Sequence, residues 1–421
     1  MRQHIGVRLH AAITITAVSA LLAACGGGGP QSGSSAKLSG NKIVLGVLND
    51  QSGAYSQLGG KNAVVAVQMA IDDFKAKYGD KAITKDITVV SADHQNKPDV
   101  AKTDAAQMYD RQNVDAVFDV PTSSAALAVA DVAKEKKKLY FNISAASDDL
   151  NGVSCNKYTY HYAYDTTMLA NGTGIAATQG GAKSWYIIYP NYVFGQQMRD
   201  GFSSAIKGAG GTVVATADSP FPNAAEDYSS LLLKASSLNP KPDTLGVMQA
   251  GADLQNVVKQ YNQFKLKDKG IKLAVGLMFI TDINALGSDA MAGTQFTDAW
   301  YWNFDQTNRA FADRFFAKTQ ARPTFAHAAN YSAAMNYLEA VQAAGTDNPD
   351  QVTAQLDGKK INDVFLRNGT IRAEDHLVTH DAYLAEVKPA SDVTEPWDYE
   401  KILKTIPADQ AFAPPTGACH L

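Results

Sequence analysis

The sequence predicts an α/β chain of two successive lobes, each a mostly parallel sheet with helices on both faces. Three observations predict it. Short apolar runs bounded by turn residues alternate with stretches whose apolar residues recur every three or four positions. The same rhythm restarts at Ser184. The chain has 421 residues, more than a single hydrophobic core organises well.

The first half supplies the pattern in order. Ile43 to Leu48 is an apolar run closed by Asn49-Asp50, hence a buried strand. Val64, Val67, Ile71, Phe74 and Tyr78 follow at helical spacing. Ile87 to Val90 is a strand, and Pro98 opens a helix that aligns Ala101, Ala105 and Met108. Val114 to Val120 is the next strand. Ser123 and Ser124 are helix-start residues for Ala125 to Lys136. Leu139 to Ile143 is another strand. Strand and helix in strict alternation imply a parallel sheet, because each crossover helix returns the chain to the same edge direction.

The second half repeats this. Strands are expected at Ser184 to Tyr189, Thr212 to Ala217, Thr244 to Met248, Ile271 to Ile280 and Gln295 to Trp302. Helices are expected at Gly195 to Gly208, Ala225 to Ser237, Phe311 to Lys318 and Ala326 to Ala344, with one more between the third and fourth of those strands. Asp381 to Val387 and Tyr399 to Ile406 read as strand and irregular structure. In open parallel sheets, ligands sit beyond the carboxyl ends of strands, where helix N-termini point. Two lobes facing each other with those ends enclose a cleft.

The N-terminus reads as an export signal. Arg2 and Arg8 precede an apolar segment from Ala11 to Leu22, too short to span a bilayer, and small residues follow. Leu22-Ala23-Ala24-Cys25 resembles a bacterial lipobox, which implies cleavage before Cys25 and lipid attachment to its sulfur. Residues 26–40 contain mainly Gly, Ser, Pro and Gln and almost nothing apolar, a flexible tether. The whole chain carries a formal charge of −4, and loss of the signal removes two arginines and no acid. With no Lys/Arg block, nucleic-acid binding is not expected. Cys155 and Cys419 are then the remaining thiols. An oxidising compartment favours a disulfide between them, with two unpaired thiols as the alternative.

No nucleophile elbow, H-E-x-x-H or phosphate loop is present, and neither an enzyme nor a cofactor is expected. Gly172-Thr173-Gly174 fits a loose dinucleotide pattern but follows no strand, so it reads as close helix packing. His376 and His380 read as part of a solvated loop rather than a metal pair. The informative positions are strand-to-helix junctions. Thr122, Ser123 and Ser124 end one strand and start a helix, where hydroxyls and free N–H groups hold a carboxylate or simply cap the helix. Ala145, Ala146 and Ser147 end the next strand. The second lobe offers Tyr192 and Phe194, Gly251 and Asp253, and Phe279 and Asp282 at equivalent junctions. Aromatic rings suit an apolar body, and either acid suits an ammonium or serves as a helix cap. None of these junctions carries Lys or Arg, so a zwitterion or small carboxylate fits better than a phosphate.

The order of several short stretches resembles a known family. These are Ser52-Gly53-Ala54-Tyr55, Gly59-Gly60, Met69 to Phe74, Thr122-Ser123-Ser124, Ala145-Ala146-Ser147, Tyr192-Val193-Phe194-Gly195 and Glu226-Asp227-Tyr228-Ser229. YWNFDQTNRAFADRF and EPWDYEKI extend the likeness to a subgroup associated with branched-chain amino acids, amides or aromatic acids. The chain resembles the exported solute-binding proteins of ABC importers, with the type I periplasmic fold of the leucine/isoleucine/valine-binding group.

The resemblance implies two lobes joined by three hinge crossings that close on ligand. It implies an N-terminal lobe of residues 41–158 with 304–366 and a C-terminal lobe of 159–303 with 367–421, after a signal at 1–24 and a lipidated tether at 25–40. By the same likeness Thr122 and Ser123 match a hydroxyl site, Ala145 offers its backbone and Ser147 its hydroxyl. Phe194 and Gly251-Ala252 stand where amino-acid binders carry tyrosines, and Asp282 lies near their ammonium-pairing acid. The missing ring leaves room for a larger ligand, lined by Tyr55 and Trp302 unless these are merely buried. The implied partners are a small-molecule solute, a permease and the membrane, with the protein itself a monomer. A ligand-sensing receptor module and an amide or urea binder remain the alternatives.

Overall fold

The computed structural model describes residues 38–223 and 225–421. The expected signal, Cys25 and most of the tether lie outside the described residues. Among the described residues no helix is long and apolar enough to cross a membrane.

The first lobe is laid down as β1 (Ile43–Asn49), α1 (Asn62–Tyr78), β2 (Ile87–Asp93), α2 (Pro98–Asp110), β3 (Ala116–Asp119), α3 (Ser123–Lys136), β4 (Leu139–Asn142) and β5 (Thr159–His161). Its five strands are parallel in the order β2-β1-β3-β4-β5. β1, β3 and β4 are buried throughout, as a sheet covered on both faces requires. The order reverses between β1 and β3, which opens a crevice at their carboxyl ends.

The second lobe continues with α4 (Thr166–Leu169), a π turn at Ala170–Gly174, α5 (Ile175–Gln179), β6 (Ser184–Pro190), α6 (Val193–Gly208), β7 (Thr212–Ser219), α7 (Ser229–Ser237), β8 (Thr244–Val247), α8 (Gly251–Gln263), β9 (Lys272–Val275), α9 (Ile280–Leu286) and β10 (Gln295–Asp298). The order β7-β6-β8-β9, all parallel, puts a second switch point between β6 and β8. The chain then returns to the first lobe with α10 (Gln306–Thr319) and α11 (Phe325–Ala344), both packed on α1. α12 (Pro349–Leu356) and the small antiparallel sheet of β11 (Lys360–Ile361), β12 (Gly369–Ile371) and β13 (Val378–Thr379) follow. β14 (Ala382–Val387) and β15 (Glu400–Ile406) pair antiparallel beside β10, and α13 (Ala408–Ala411) precedes the tail. The chain thus crosses between lobes after β5, after β10 and between β13 and β14.

Several details differ from the reading of the sequence, among them the strand expected at Gln295 to Trp302, which ends at Asp298. The strand expected at Ile271 to Ile280 ends at Val275, because Gly276 breaks it and Ile280 already starts α9. The helix expected from Ala225 begins only at Ser229. β5 belongs to the first sheet, although the implied boundary put it in the second lobe; the alternating Tyr158, Tyr160, Tyr162 and Tyr164 are its signal. His376 and His380 are buried rather than solvated. His376 stacks on Tyr160 at 4.3 Å, and a ring nitrogen of His380 lies 2.8 Å from the Ala163 carbonyl. They fasten β12 and β13 to the β5 crossing.

Gly172 is a helix-packing glycine, as expected. A Cβ there would lie 2.0 Å from the Thr297 hydroxyl on β10. Cys155 and Cys419 form a disulfide with Cα atoms 5.5 Å apart.

Candidate functional site

The carboxyl ends of both sheets face one another across a cavity. Its lining is Tyr55 and Leu58 after β1, Pro121 after β3, Ser144 and Ala146 after β4, Tyr164 after β5, Tyr192 and Phe194 after β6, and Leu277 and Phe279 after β9. Its empty volume, mouth included, is about 220 Å³. Every lining residue lies in the segment that follows the carboxyl end of a strand, where both switch points aim. Among the described residues no Lys, Arg, His, Asp or Glu lines it.

The lobes meet directly around this space. The Tyr55 and Tyr192 hydroxyls are 2.6 Å apart. Phe221 stacks on both rings, with centroids 5.3 Å from Tyr55 and 4.3 Å from Tyr192. The Ala252 N–H donates to the Ala54 carbonyl at 3.1 Å, and the Thr281 hydroxyl donates to the Gln57 carbonyl at 3.1 Å. Gly251 makes this approach possible: its φ is +59°, and a Cβ would lie 2.3 Å from the Ala54 oxygen. The arrangement is a closed cleft. Burial and the neighbouring phenol hold the Tyr55 hydroxyl protonated far above its ordinary range, and burial does the same for Tyr192.

Of the residues singled out in the sequence, the structure brings Tyr55, Ala146, Tyr192, Phe194 and Phe279 together on this cavity. The others have different work. The Thr122 hydroxyl is turned away and donates to Asn96 Oδ1. Asn96 in turn donates to Asp50 at 2.5 Å, and Asp50 accepts from the Gly53 and Tyr55 N–H groups at 2.6 and 2.8 Å. Thr122 therefore helps to shape the loop that presents Tyr55. Ser123 is buried with no partner for its hydroxyl among the described residues, and Ser124 is half-buried on α3. Ala145 spends its carbonyl on Asn142 Nδ2 at 2.7 Å, and Ser147 accepts from the Asp149 N–H at 3.4 Å.

Asp282 does not face the cavity. It accepts from the Phe279 N–H at 2.9 Å and from Gln255 at 2.8 Å, closing the start of α9. Burial pushes its carboxyl up to about 6, against those two hydrogen bonds. Asp253, in the first turn of α8, is buried and raised by that burial, and its Oδ2 has no partner among the described residues. Trp302 lies at the crossing after β10. Its Nε1 donates to the Trp397 carbonyl at 2.9 Å, and the Arg322 and Arg309 guanidinium carbons lie 4.1 and 5.0 Å from its ring centroid. It packs that crossing instead of the site.

Leu58, Pro121, Ser144, Tyr164, Leu277 and the flanking Phe221 were not anticipated. Four of the five lining residues among them lie within three residues of a strand end, so strand boundaries would have pointed to them. Phe221 sits in the loop after β7, where no periodic pattern marks it.

Two α/β lobes whose strand ends face one cavity across three crossings define a hinged solute-binding protein. The periplasmic binding protein model matches residues 42–392, and the chain belongs to that family, whose members serve ABC transporters. A periplasmic binding protein from Burkholderia mallei is 42% identical, with a TM-score of 0.84 over 89% of this chain and 97% of that one. A branched-chain amino acid ABC transporter periplasmic ligand-binding protein from Burkholderia xenovorans is 36% identical, with a TM-score of 0.78 over 89% and 97%. A solute-binding protein from Rhodopseudomonas palustris in complex with 3,4-dihydroxybenzoic acid shares the fold at 20% identity, with a TM-score of 0.76 over 87% and 98%. A search of curated proteins returned no match.

Proposed function

We propose that this chain is the substrate-binding subunit of an ABC importer and closes on a small carboxylate with an apolar body, an aromatic acid or apolar amino acid. The observation that carries this is the cavity lining. Five aromatic rings surround a space whose polar fittings are hydroxyls and strand-end backbone, with no basic or acidic side chain among the described lining residues. Such a site suits an aromatic or aliphatic body better than a sugar or a phosphate. The names of relatives point the same way, to branched-chain amino acids and to a hydroxylated benzoate. Closure proceeds by hinge motion, with Tyr55 on one lobe meeting Tyr192 and Phe221 on the other.

A thermal-shift series tests this with L-leucine, L-phenylalanine, benzoate, 4-hydroxybenzoate, acetamide and urea. A ligand at 100 times its Kd stabilises by about 2.7 kcal/mol. The carboxylates are expected to raise the midpoint, and the shift is expected to shrink in Phe194→Ala. A shift with acetamide or urea alone would point to an amide site, and no shift with any would remove the proposal. Tyr192→Phe deletes the interlobe hydroxyl pair and is expected to weaken the closed, liganded state by about 0.5–1.5 kcal/mol.

The lipid anchor belongs to the same proposal. Cys25, after an apolar run and small residues, would tie the protein to the outer face of a membrane beside its permease. Cys25→Ser is expected to move the protein from the membrane fraction to the soluble one. Unchanged fractionation would remove the anchor and leave the binding function standing.

A further inference from the structure

Asp119 is the last residue of β3 and fully buried, yet among the described residues no cation neutralises it. Its φ is +85° and that of Val120 is +64°, a pair of backbone strains at the switch point of the first sheet. The cavity-lining Ser144 donates its hydroxyl hydrogen to Asp119 Oδ1, and Asn49 Nδ2 donates to Oδ2 at 3.0 Å. The groups around the carboxyl are Asn49 at the end of β1, Asp50 just after it, Tyr140 from β4, Ser144 beyond it, Tyr164 beyond β5 and Asn330 on α11. His327, nearby on α11, is buried and held neutral by burial down to about 4. Of these neighbours only Asp50 carries charge, and it is negative.

We propose that Asp119 is a positioning residue for a bound carboxylate and that ligand enters the cleft together with one proton, held between Asp119 and Ser144. The inference rests on the reading of the cleft as a carboxylate site. With Asp119 ionised, the Ser144 hydrogen is committed to it, and the serine offers the cleft only an acceptor. A carboxylate meeting that oxygen finds no donor and a negative charge behind it. When Asp119 takes a proton from water, its O–H donates to Ser144 Oγ. The serine hydrogen then turns to the ligand. No covalent bond changes except those of the transferred proton. Burial and the Asp50 charge already raise Asp119, to about 6 against the Ser144 and Asn49 hydrogen bonds, so the proton is within reach near neutrality.

The test is calorimetry with benzoate, 4-hydroxybenzoate and L-leucine from pH 5.5 to 8.5, in pairs of buffers of different ionisation heat. Above the Asp119 range, wild type is expected to take up about one proton per ligand and to lose about tenfold in affinity per pH unit. Asp119→Asn offers Ser144 a permanent donor. It is expected to bind without proton uptake and with affinity independent of pH, at least tenfold tighter than wild type at pH 8.5. Ser144→Ala, which leaves the β3 end intact, is expected to lose the uptake as well and so replaces the first variant should that one not fold. Binding by wild type without proton uptake overturns the inference and spares the proposed function. Uptake that persists in both variants also overturns it. Failure of all three probes at every pH overturns the carboxylate reading and the inference with it.

Discussion

The double variant Cys155→Ser/Cys419→Ser is expected to lose about 3–5 kcal/mol of stability. The bridge spans a sequence separation of 264, so in the unfolded chain it closes a very long loop. The chain-entropy estimate for such a loop is roughly 5 kcal/mol. The tail it fastens leaves β15 in the second lobe and crosses the hinge. Asn171 Nδ2 donates to the Ala411 carbonyl at 3.1 Å, and Phe412 packs on His380 with ring centroids 5.3 Å apart. The Arg372 guanidinium donates to the Ala413 carbonyl at 2.5 Å. Beyond these contacts the tail is mostly exposed, so little but the covalent link holds its end. Urea denaturation of wild type with and without dithiothreitol, beside the variant, measures the effect. Reduction should lower the wild-type midpoint to that of the variant and leave the variant unmoved. Equal midpoints throughout would show that the bridge adds nothing.

Glu400→Gln is expected to do the opposite at alkaline pH and stabilise the protein by about 2–4 kcal/mol at pH 8. Asp298 at the end of β10 and Glu400 at the start of β15 are both buried. Apart from the facing Asp298 carboxyl, neither Glu400 oxygen has a partner among the described residues. The nearby Lys388 is spent on Asp398 at 2.7 Å, which also accepts from the Tyr301 hydroxyl at 2.6 Å. Burial raises both carboxyls, and for Glu400 the neighbouring Asp298 adds to it. The fold therefore retains a proton that the unfolded chain releases in the ordinary carboxylate range, about pH 4. A raised group contributes its stability fully below that range and loses it as pH rises through the folded value. The wild-type midpoint should therefore fall as pH rises above about 4, and the variant should show a flatter profile. Leaving a buried charge unpaired costs several kcal/mol, and an amide removes that cost while donating to Asp298. Loss of stability at pH 8 in Glu400→Gln would show that the pair is held by some other means.

Much of the architecture was legible in residue order. β1, β3 and β4 are buried on both faces, so they appear in the chain as unbroken apolar runs that need no partner to be recognised. α1 shows its buried stripe in Val67, Ile71 and Phe74 for the same reason: one face meets a core. Strand β9 looks longer in the sequence than it is because Leu277 and Phe279 are apolar to line the cavity and Met278 to fill the core beside α9. Apolar content marks burial, and does not say whether a sheet or a ligand site covers the residue. His376 and His380 mislead for a related reason. Two polar rings amid Asp375 and Asp381 look solvated until β5 and Phe412 are folded over them.

The sequence alone determined the parallel-sheet lobes and the strand ends beyond which Tyr55, Tyr192, Phe194 and Phe279 meet on one cavity. These follow from local patterns, because periodicity and strand termination act over a few residues. Only tertiary structure decided which hydroxyl meets the cavity. Thr122 and Ser144 both end first-lobe strands, yet one is consumed by Asn96 and the other stands between Asp119 and the open space. That choice depends on side-chain partners 25 or more residues away, held at hydrogen-bond distance by packing, and no window of the chain contains both ends of such a bond.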